Sequence, residues 1–483
     1  MSRQKFWRQI RLPRKAGEAN LPDKTYGQEL SYCKLRFMTK TVLLSHELIG
    51  EKMAGPGIRY MHLARVLAKH IHVVLAAPTG SGPTPTSATF EMRSFERGVW
   101  HSIADLLADA DVILLPPDLA NEFPQIADLP GSIVIDGYNP LLAEWLYSYD
   151  GLDAWQQRMA QLRRQYFVGD FYICASERQR DWWLGQLEVQ GRINPLTVRA
   201  DPTLRRLIDV VPYGLSTQPY TGSAPSSPIM RTVWPGIGAH DPVILWGGGL
   251  WPWLDPLTAI RAVDLLRSRL PDVRLVFPGT RHPNPNLHGL HTHLDAARAL
   301  ATERGLIDRH VFFGDWVPYE RWADVLRESD VALSLHFDTY ETRLAFRSRI
   351  LETIGAGVPV VATRGDATSE IIERFDIGAT VNLTDSAATA DALQRILLRP
   401  RSEMQTGFAA AQAEYAWERS AAPLLNFCRA PQHAADHALT RERALSTDHD
   451  ALLKKNVEMQ DLLQRYENGR FMRLMRRLKK RRD

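Results

Sequence analysis

Between Asp338 and Arg349 the chain sets three guanidinium groups, Arg343, Arg347 and Arg349, beside two carboxylates, Asp338 and Glu341. A guanidinium forks two donors onto one phosphate, so such a cluster suits an anionic ligand. Mutual pairing of the same charges at a surface is the plainer use. Glu352 follows at a helix start, where a carboxylate can accept from two ribose hydroxyls. Three other stretches carry chemistry. Gly247-Gly248-Gly249, with Trp251 beyond it, lets a backbone come close to a diphosphate. Gly55-Pro56-Gly57 opens a helix whose first N–H groups favour an anion, with Arg59 beside it. Asp136 and Tyr138 end an apolar run and would face a cleft, unless Asp136 only caps the turn before Pro140. Glu144 and Trp145 come next, Trp145 being either a wall for a sugar ring or a core residue.

The elements that must position these groups alternate short apolar runs with helical stretches. Residues 331–335 suit a buried strand, 350–354 a helix closed by Gly355 and Gly357, and 359–361 a second strand, which together make a βαβ unit. In such units ligands gather outside the carboxyl ends of the strands. Further strands are expected at 41–44, 72–76, 112–115, 132–136, 172–175, 241–246, 273–277 and 311–314. Ser176 to Gln179 has the form of a capping box. Two of the turns, at Gly279 and at Trp316-Val317, fall on the cleft side, where Trp316 either stacks on a base or packs in the core. A strand, a glycine loop and a helix thus occur twice, as two doubly wound halves require. The expected fold class is α/β, with two Rossmann-like domains facing a cleft and a helical tail. The expected boundaries are a basic arm at 1–37, a first domain at 38–215, a linker rich in Ser, Pro and Gly at 216–240, a second domain at 241–405, a crossover helix at 406–428 and a basic amphipathic tail at 429–483.

The run Leu351-Glu352-Thr353-Ile354-Gly355-Ala356-Gly357-Val358-Pro359-Val360-Val361, preceded by Tyr340-Glu341, resembles the signature of family-4 GT-B glycosyltransferases (glycosyltransferase group 1). Val210-Val211-Pro212-Tyr213-Gly214 is similar to the segment that ends the first domain in that family, with Tyr213 in place of Asn. Residues 311–318 are similar to its F-x-G-x-V-P segment. The chain also departs from the pattern. Ten residues separate Glu341 from Glu352, and the family's spacing would put the first acid at Leu344. The positions of the family's Arg and Lys in the glycine loop fall on Gly249 and about Leu254. The resemblance implies a retaining, metal-independent transfer of sugar from a nucleotide diphosphate sugar to a hydroxyl of a glycan or lipid-linked glycan. It implies catalytic roles for Asp136, Glu341 and Arg347, with Glu341 near the donor sugar and Arg347 and Arg349 on the phosphates. Donor contacts would come from Gly247, Gly248, Gly249, Trp251, Gly279, Trp316, Val317, Arg343, Arg349 and Glu352, the last on the ribose. Gly55, Gly57, Arg59 and Tyr138 would form the acceptor side. No cofactor and no metal are expected beyond the donor substrate. A sugar-nucleotide epimerase and a degenerate binding scaffold without turnover are the alternatives.

At 483 residues the chain is long enough for two domains, and its hydrophobic and charged fractions of 45% and 24% are ordinary for a globular protein. Cys33, Cys174 and Cys428 are too few and too scattered for a disulfide framework or a metal cluster, which suggests a reducing cytoplasm. His282, His288, His291 and His293 sit in a polar loop without ligand spacing and are expected to be solvated. Residues 1–37 carry nine Lys and Arg against three acids and residues 451–483 eleven against four, so the middle is acidic within a net charge of +4. In the tail, Phe471, Leu474, Met475 and Leu478 share a helical face flanked by basic residues, as in helices that lie on anionic membranes. No run is long enough to span a bilayer. The expected place is the cytoplasm or the inner face of the membrane, with no nucleic-acid partner.

Overall fold

A computed structural model describes residues 39–83, 88–148, 151–216, 228–284, 293–443 and 459. The basic arm, the amphipathic face at 471–478, Cys33, His288 and His291 lie outside the described residues. No helix among those described is long and apolar enough to cross a membrane.

Every strand is parallel to its neighbours, and helices covering both faces explain why the central strands are legible as unbroken apolar runs, whereas the exposed edge strand Glu91–Phe95 is polar and was not expected. The first sheet contains β1 (Lys40–Leu44), β2 (His72–Pro78), β3 (Glu91–Phe95), β4 (Val112–Leu115), β5 (Ser132–Asp136), β6 (Phe171–Cys174) and β7 (Ile208–Val210), ordered β3-β2-β1-β4-β5-β6-β7. The second contains β8 (Val243–Trp246), β9 (Arg274–Phe277), β10 (Val311–Phe313), β11 (Val331–Ser334), β12 (Val360–Thr363) and β13 (Gly378–Val381), ordered β10-β9-β8-β11-β12-β13. Strand order reverses between β1 and β4 in one sheet and between β8 and β11 in the other. These are the switch points at which doubly wound sheets bind ligands. Central positions such as Val42, Leu114, Leu245 and Leu333 are wholly buried.

The chain returns to the first sheet at its end. Leu215 N donates to Tyr415 O, and Trp417 stacks on His62 with ring centroids 4.9 Å apart. Gly214 is required there, since a Cβ would fall 2.4 Å from the Trp417 ring. The helix Ala422–Arg429 follows, and its Phe427 stacks on Phe171 of β6. The stretch expected to be only a linker has structure in its second part. Met230 and Ile237 are buried against the second sheet, and Glu328 accepts from the backbone N–H groups of Met230 and Arg231. The Ser, Pro and Gly content obscured those apolar anchors.

Asp136 and Arg59 change role. Both are buried, and Arg59 donates from Nε and Nη2 to the two carboxylate oxygens at 2.9 and 3.2 Å. The same guanidinium donates to the carbonyls of Val211 and Pro212. Neither Asp136 nor Arg59 lines the cleft cavity, contrary to the catalytic and acceptor-side positions expected of them. Together they tie β5 to the helix Gly55–Leu67 and to the end of β7, beneath the cleft. Removing one partner of a buried pair strands the other charge. Arg59→Met is expected to cost about 3–5 kcal/mol in urea denaturation. Arg59→Met combined with Asp136→Leu should recover most of that loss.

Candidate active site

A cavity of about 330 Å³ lies between the two halves, above the carboxyl ends of the switch strands. From the first half it takes His46 and Glu47 after β1, Gly55 and Pro56 at a helix start, Tyr138 to Leu141 after β5, and Glu144, Trp145 and Ser148 on the next helix. From the second half it takes Gly247 to Gly249 and Trp251 after β8, Gly279 and His282 after β9, Trp316 and Val317 after β10, and Glu341 and Ala345 to Arg349 after β11. Their convergence follows from topology: each loop leaves a strand at the same edge, so groups distant in sequence meet.

The second-half wall is aromatic. Trp251 and Trp253 stack with centroids 5.7 Å apart, and His282 meets Trp316 edge-on at 5.4 Å. His282 is thus a buried lining residue, contrary to the solvated loop expected, because the tryptophans fold over it. His293 is also engaged, against Pro252 O at 3.0 Å. Gly279 has φ +75°, and a Cβ there would come within 3.3 Å of the Trp316 ring, so glycine admits both the turn and the indole. Arg349 lies over the Trp322 ring at 4.8 Å and the Trp316 ring at 5.7 Å. Such stacking holds a guanidinium flat.

Four of the charged groups form two pairs. Arg347 donates to both oxygens of Glu341 at 2.7 and 2.9 Å, and its Nε lies 3.4 Å from Asp366. Arg349 donates to Glu352 at 3.0 Å, and the other Glu352 oxygen accepts from the Tyr213 hydroxyl at 2.9 Å. Glu352 is buried and does not reach the cavity surface, so the ribose contact expected of it is not made by a free carboxylate. It positions Arg349. This also gives Tyr213 a purpose where the family segment has Asn. Arg343 is exposed on the short helix Tyr340–Leu344 and lies away from the cavity, because helical spacing turns it opposite to the buried Glu341. Leu344 is buried in the core, where an acid would lack a partner. Gly57 packs under Leu48 O, at 2.9 Å from a would-be Cβ, and serves the helix more than the cavity. Tyr138 lines the cavity, and its hydroxyl donates to Phe346 O at 2.8 Å.

The first-half wall holds the expected Glu144 and Trp145 and adds His46 and Glu47, which the expected site lacked. His46 Nδ1 meets Asp118 at 2.9 Å. Burial alone would lower the pKa of His46, but the charge and hydrogen bond of Asp118, with Glu47, raise it to about 9. His46 is therefore an imidazolium at neutral pH. Burial holds Glu47 above the ordinary carboxylate range. Half-buried Glu144 is pushed up to about 8, first by burial and then by the charge of Glu341, so at neutral pH it is a carboxylic acid able to donate. The wall thus offers donors and acceptors suited to a hydroxyl-rich ligand. Ser45-His46-Glu47 follows the first strand directly, and that position at a carboxyl end was the available signal. Nothing local to the sequence announced the partner, Asp118, which lies 72 residues away.

The raised pKa of Glu144 has a stability consequence. The unfolded chain releases this proton near the ordinary value of 4.5, whereas the folded chain keeps it until about pH 8. Folding stability therefore falls as pH rises through that window and levels off above it. Glu144→Gln should melt about 2–4 °C higher than the parent near pH 9 and at about the same temperature near pH 4. Scanning calorimetry at the two pH values checks this.

Residues 241–399 match the family model described as Glycosyl transferases group 1. Over 267 residues the chain is 26% identical to a D-inositol 3-phosphate glycosyltransferase of Acidothermus cellulolyticus, covering 51% of this chain and 55% of the relative. The match thus spans about half the length of that curated protein. Among solved structures, sucrose-phosphate synthase from Thermosynechococcus elongatus superposes with TM-score 0.57 at 16% identity, over 81% of this chain and 98% of that one. WaaG, a glycosyltransferase of lipopolysaccharide biosynthesis, gives 0.55 at 16% identity over 81% and 100%. Anabaena HepE in complex with UDP and glucose gives 0.56 at 15% identity over 80% and 99%. The architecture is that of the GT-B glycosyltransferases.

Proposed function

We propose that this GT-B chain, whose second domain matches the glycosyl transferases group 1 model, transfers a hexosyl group from a nucleotide diphosphate sugar to a hydroxyl acceptor. The observation that carries the reading is the single cavity wall built by the glycine loop, the Trp316 and Trp322 pair and Arg349, at the switch point of the second sheet. The base stacks on Trp316, and the diphosphate lies along the backbone of Gly247 to Gly249. Gly248 has φ +131°, a backbone state that favours glycine. The solved relative bound to UDP and glucose supports a uridine donor.

The acceptor hydroxyl oxygen bonds to the anomeric carbon as the bond from that carbon to the diphosphate oxygen breaks. In a retaining reaction attack comes on the face the diphosphate leaves, and the hydroxyl proton passes to a departing phosphate oxygen. Charge develops on that oxygen, where fixed donors stabilise it most. Arg349, steadied by Glu352, and the loop N–H groups supply those donors, and no metal is required in this scheme. The Glu341–Arg347 pair borders the sugar, and Glu144, His46 and Glu47 receive the acceptor. A glycan or lipid-linked glycan suits that hydroxyl-binding wall. The basic chain ends support work at an anionic membrane surface from the cytoplasmic side.

A thermal-shift screen of UDP-, GDP-, ADP- and dTDP-sugars followed by nucleotide release with glycan and lipid acceptors tests the reading. A donor that stabilises the protein and is turned over supports transfer, whereas binding without turnover across the panel supports the scaffold. Trp316→Leu should weaken donor binding about tenfold, the loss of one base stack. An unchanged Kd would remove the base from that wall.

A further inference from the structure

The amino-terminal edge of the first sheet, opposite the cavity, holds a cluster to which the transfer reaction gives no work. Asp170 immediately precedes β6 and is buried. Its Oδ1 accepts from Ala434 N at 2.9 Å and its Oδ2 from Ile133 N at 2.9 Å. Two imidazoles point at the same carboxylate: His437 Nδ1 at 2.8 Å from Oδ1 and His433 Nδ1 at 3.2 Å from Oδ2. Their rings are tilted at 31° to each other with 4.0 Å between centroids, and the three ligand atoms all fall within 4.8 Å of one another.

We propose that Asp170, His433 and His437 bind one divalent transition-metal ion of the zinc, cobalt and nickel class, which fastens the chain near residue 435 to the edge of the first sheet. A tetrahedral ion with bonds of about 2.0–2.2 Å sets its ligand atoms roughly 3.3 Å apart. The three ligand atoms, one from each residue, already lie within 4.8 Å of one another, and modest turns of the two partly exposed imidazoles would admit the ion. Each imidazole binds through Nδ1 in its Nε2–H tautomer, so the ion takes the place of the Nδ1–H···carboxylate hydrogen bonds. The two backbone N–H groups hold the carboxylate in place, as outer partners of metal ligands do. The histidine side chains are 42% and 24% exposed, which gives an ion a path from solvent. A cavity of about 150 Å³ lined by Asp170, His433, Thr197 and Asp201 offers room for a water as the fourth ligand.

The neighbourhood explains what the ion would do. Asp436, between the two histidines, makes a buried bidentate pair with Arg192 at 2.9 and 3.1 Å. The protein thus grips this segment at adjacent points, and the ion would add a link that a chelator can undo. Its distance from the cavity makes the role one of fastening and not of chemistry.

The full chain, stripped with a chelator and dialysed, is titrated with Co²⁺ for its visible bands and with Zn²⁺ alone by calorimetry. The expected result is one site per chain with micromolar or tighter affinity, weakened at least a hundredfold in His433→Ala/His437→Ala. A His282→Ala variant should keep the site, which separates it from binding elsewhere. Circular dichroism of the metal-free double variant checks that it folds, and His433→Gln alone, at a half-exposed position, serves if it does not. Absence of stoichiometric binding in the parent, or equal binding in the histidine variants, overturns the proposal.

Discussion

The segment between β11 and β12 is held from both sides of the cleft, and the site depends on that hold. The Tyr138 hydroxyl donates to Phe346 O, Gln179 donates to Leu344 O at 2.8 Å, and the Tyr213 hydroxyl donates to Glu352. Trp182 Nε1 reaches the Tyr340 hydroxyl at 2.6 Å. All four donors belong to the first half and all four acceptors to the second. The loop that carries Glu341, Arg347 and Arg349 therefore takes its shape only when the halves are together. A buried ion pair such as Glu341–Arg347 is tolerable when its geometry is bidentate and its surroundings are fixed, and the cross-cleft hydrogen bonds fix them.

The charge arrangement in the cavity follows from that constraint. Arg349 is neutralised by Glu352 and Arg347 by Glu341, while the opposite wall holds an imidazolium and a neutral acid. Under the proposed function an arriving diphosphate competes with Glu352 for the Arg349 guanidinium, which the two indole rings keep flat beneath it. The glycine loop provides the remaining donors without a side-chain charge. Gly249 and Leu254 bring no cation to the glycine loop, and the guanidinium comes instead from the neighbouring strand's loop.

Much of this was legible in the sequence because parallel strands, covered on both faces, are written as unbroken apolar runs, and because doubly wound halves send their loops to one edge. The convergence of Gly248, Gly279, Trp316 and Arg349 follows from that rule alone. What escaped reading was pairing at long range. Asp136 looked available until Arg59, on another element, took both of its oxygens. Glu352 was identifiable as important, but its occupation by Tyr213 was not. Only half of the capping box expected at Ser176 to Gln179 forms: Ser176 Oγ accepts from Gln179 N, but the Gln179 side chain accepts from Ala175 N instead of the cap residue, and its amide nitrogen crosses to the second half. His46 and Asp170 owe their settings to partners 72 and more than 200 residues away, which no local pattern records.

The central claim is that one cavity, walled by both halves, takes the nucleotide sugar. Hydrogen exchange measured peptide by peptide, with and without a UDP-sugar, tests it most directly. The account predicts slowed exchange together at residues 247–254, 278–282, 316–322 and 341–349 of the second half, and at 46–56 and 138–148 of the first once an acceptor is present. Protection confined to other surfaces, with these stretches unchanged under saturating donor, would contradict it.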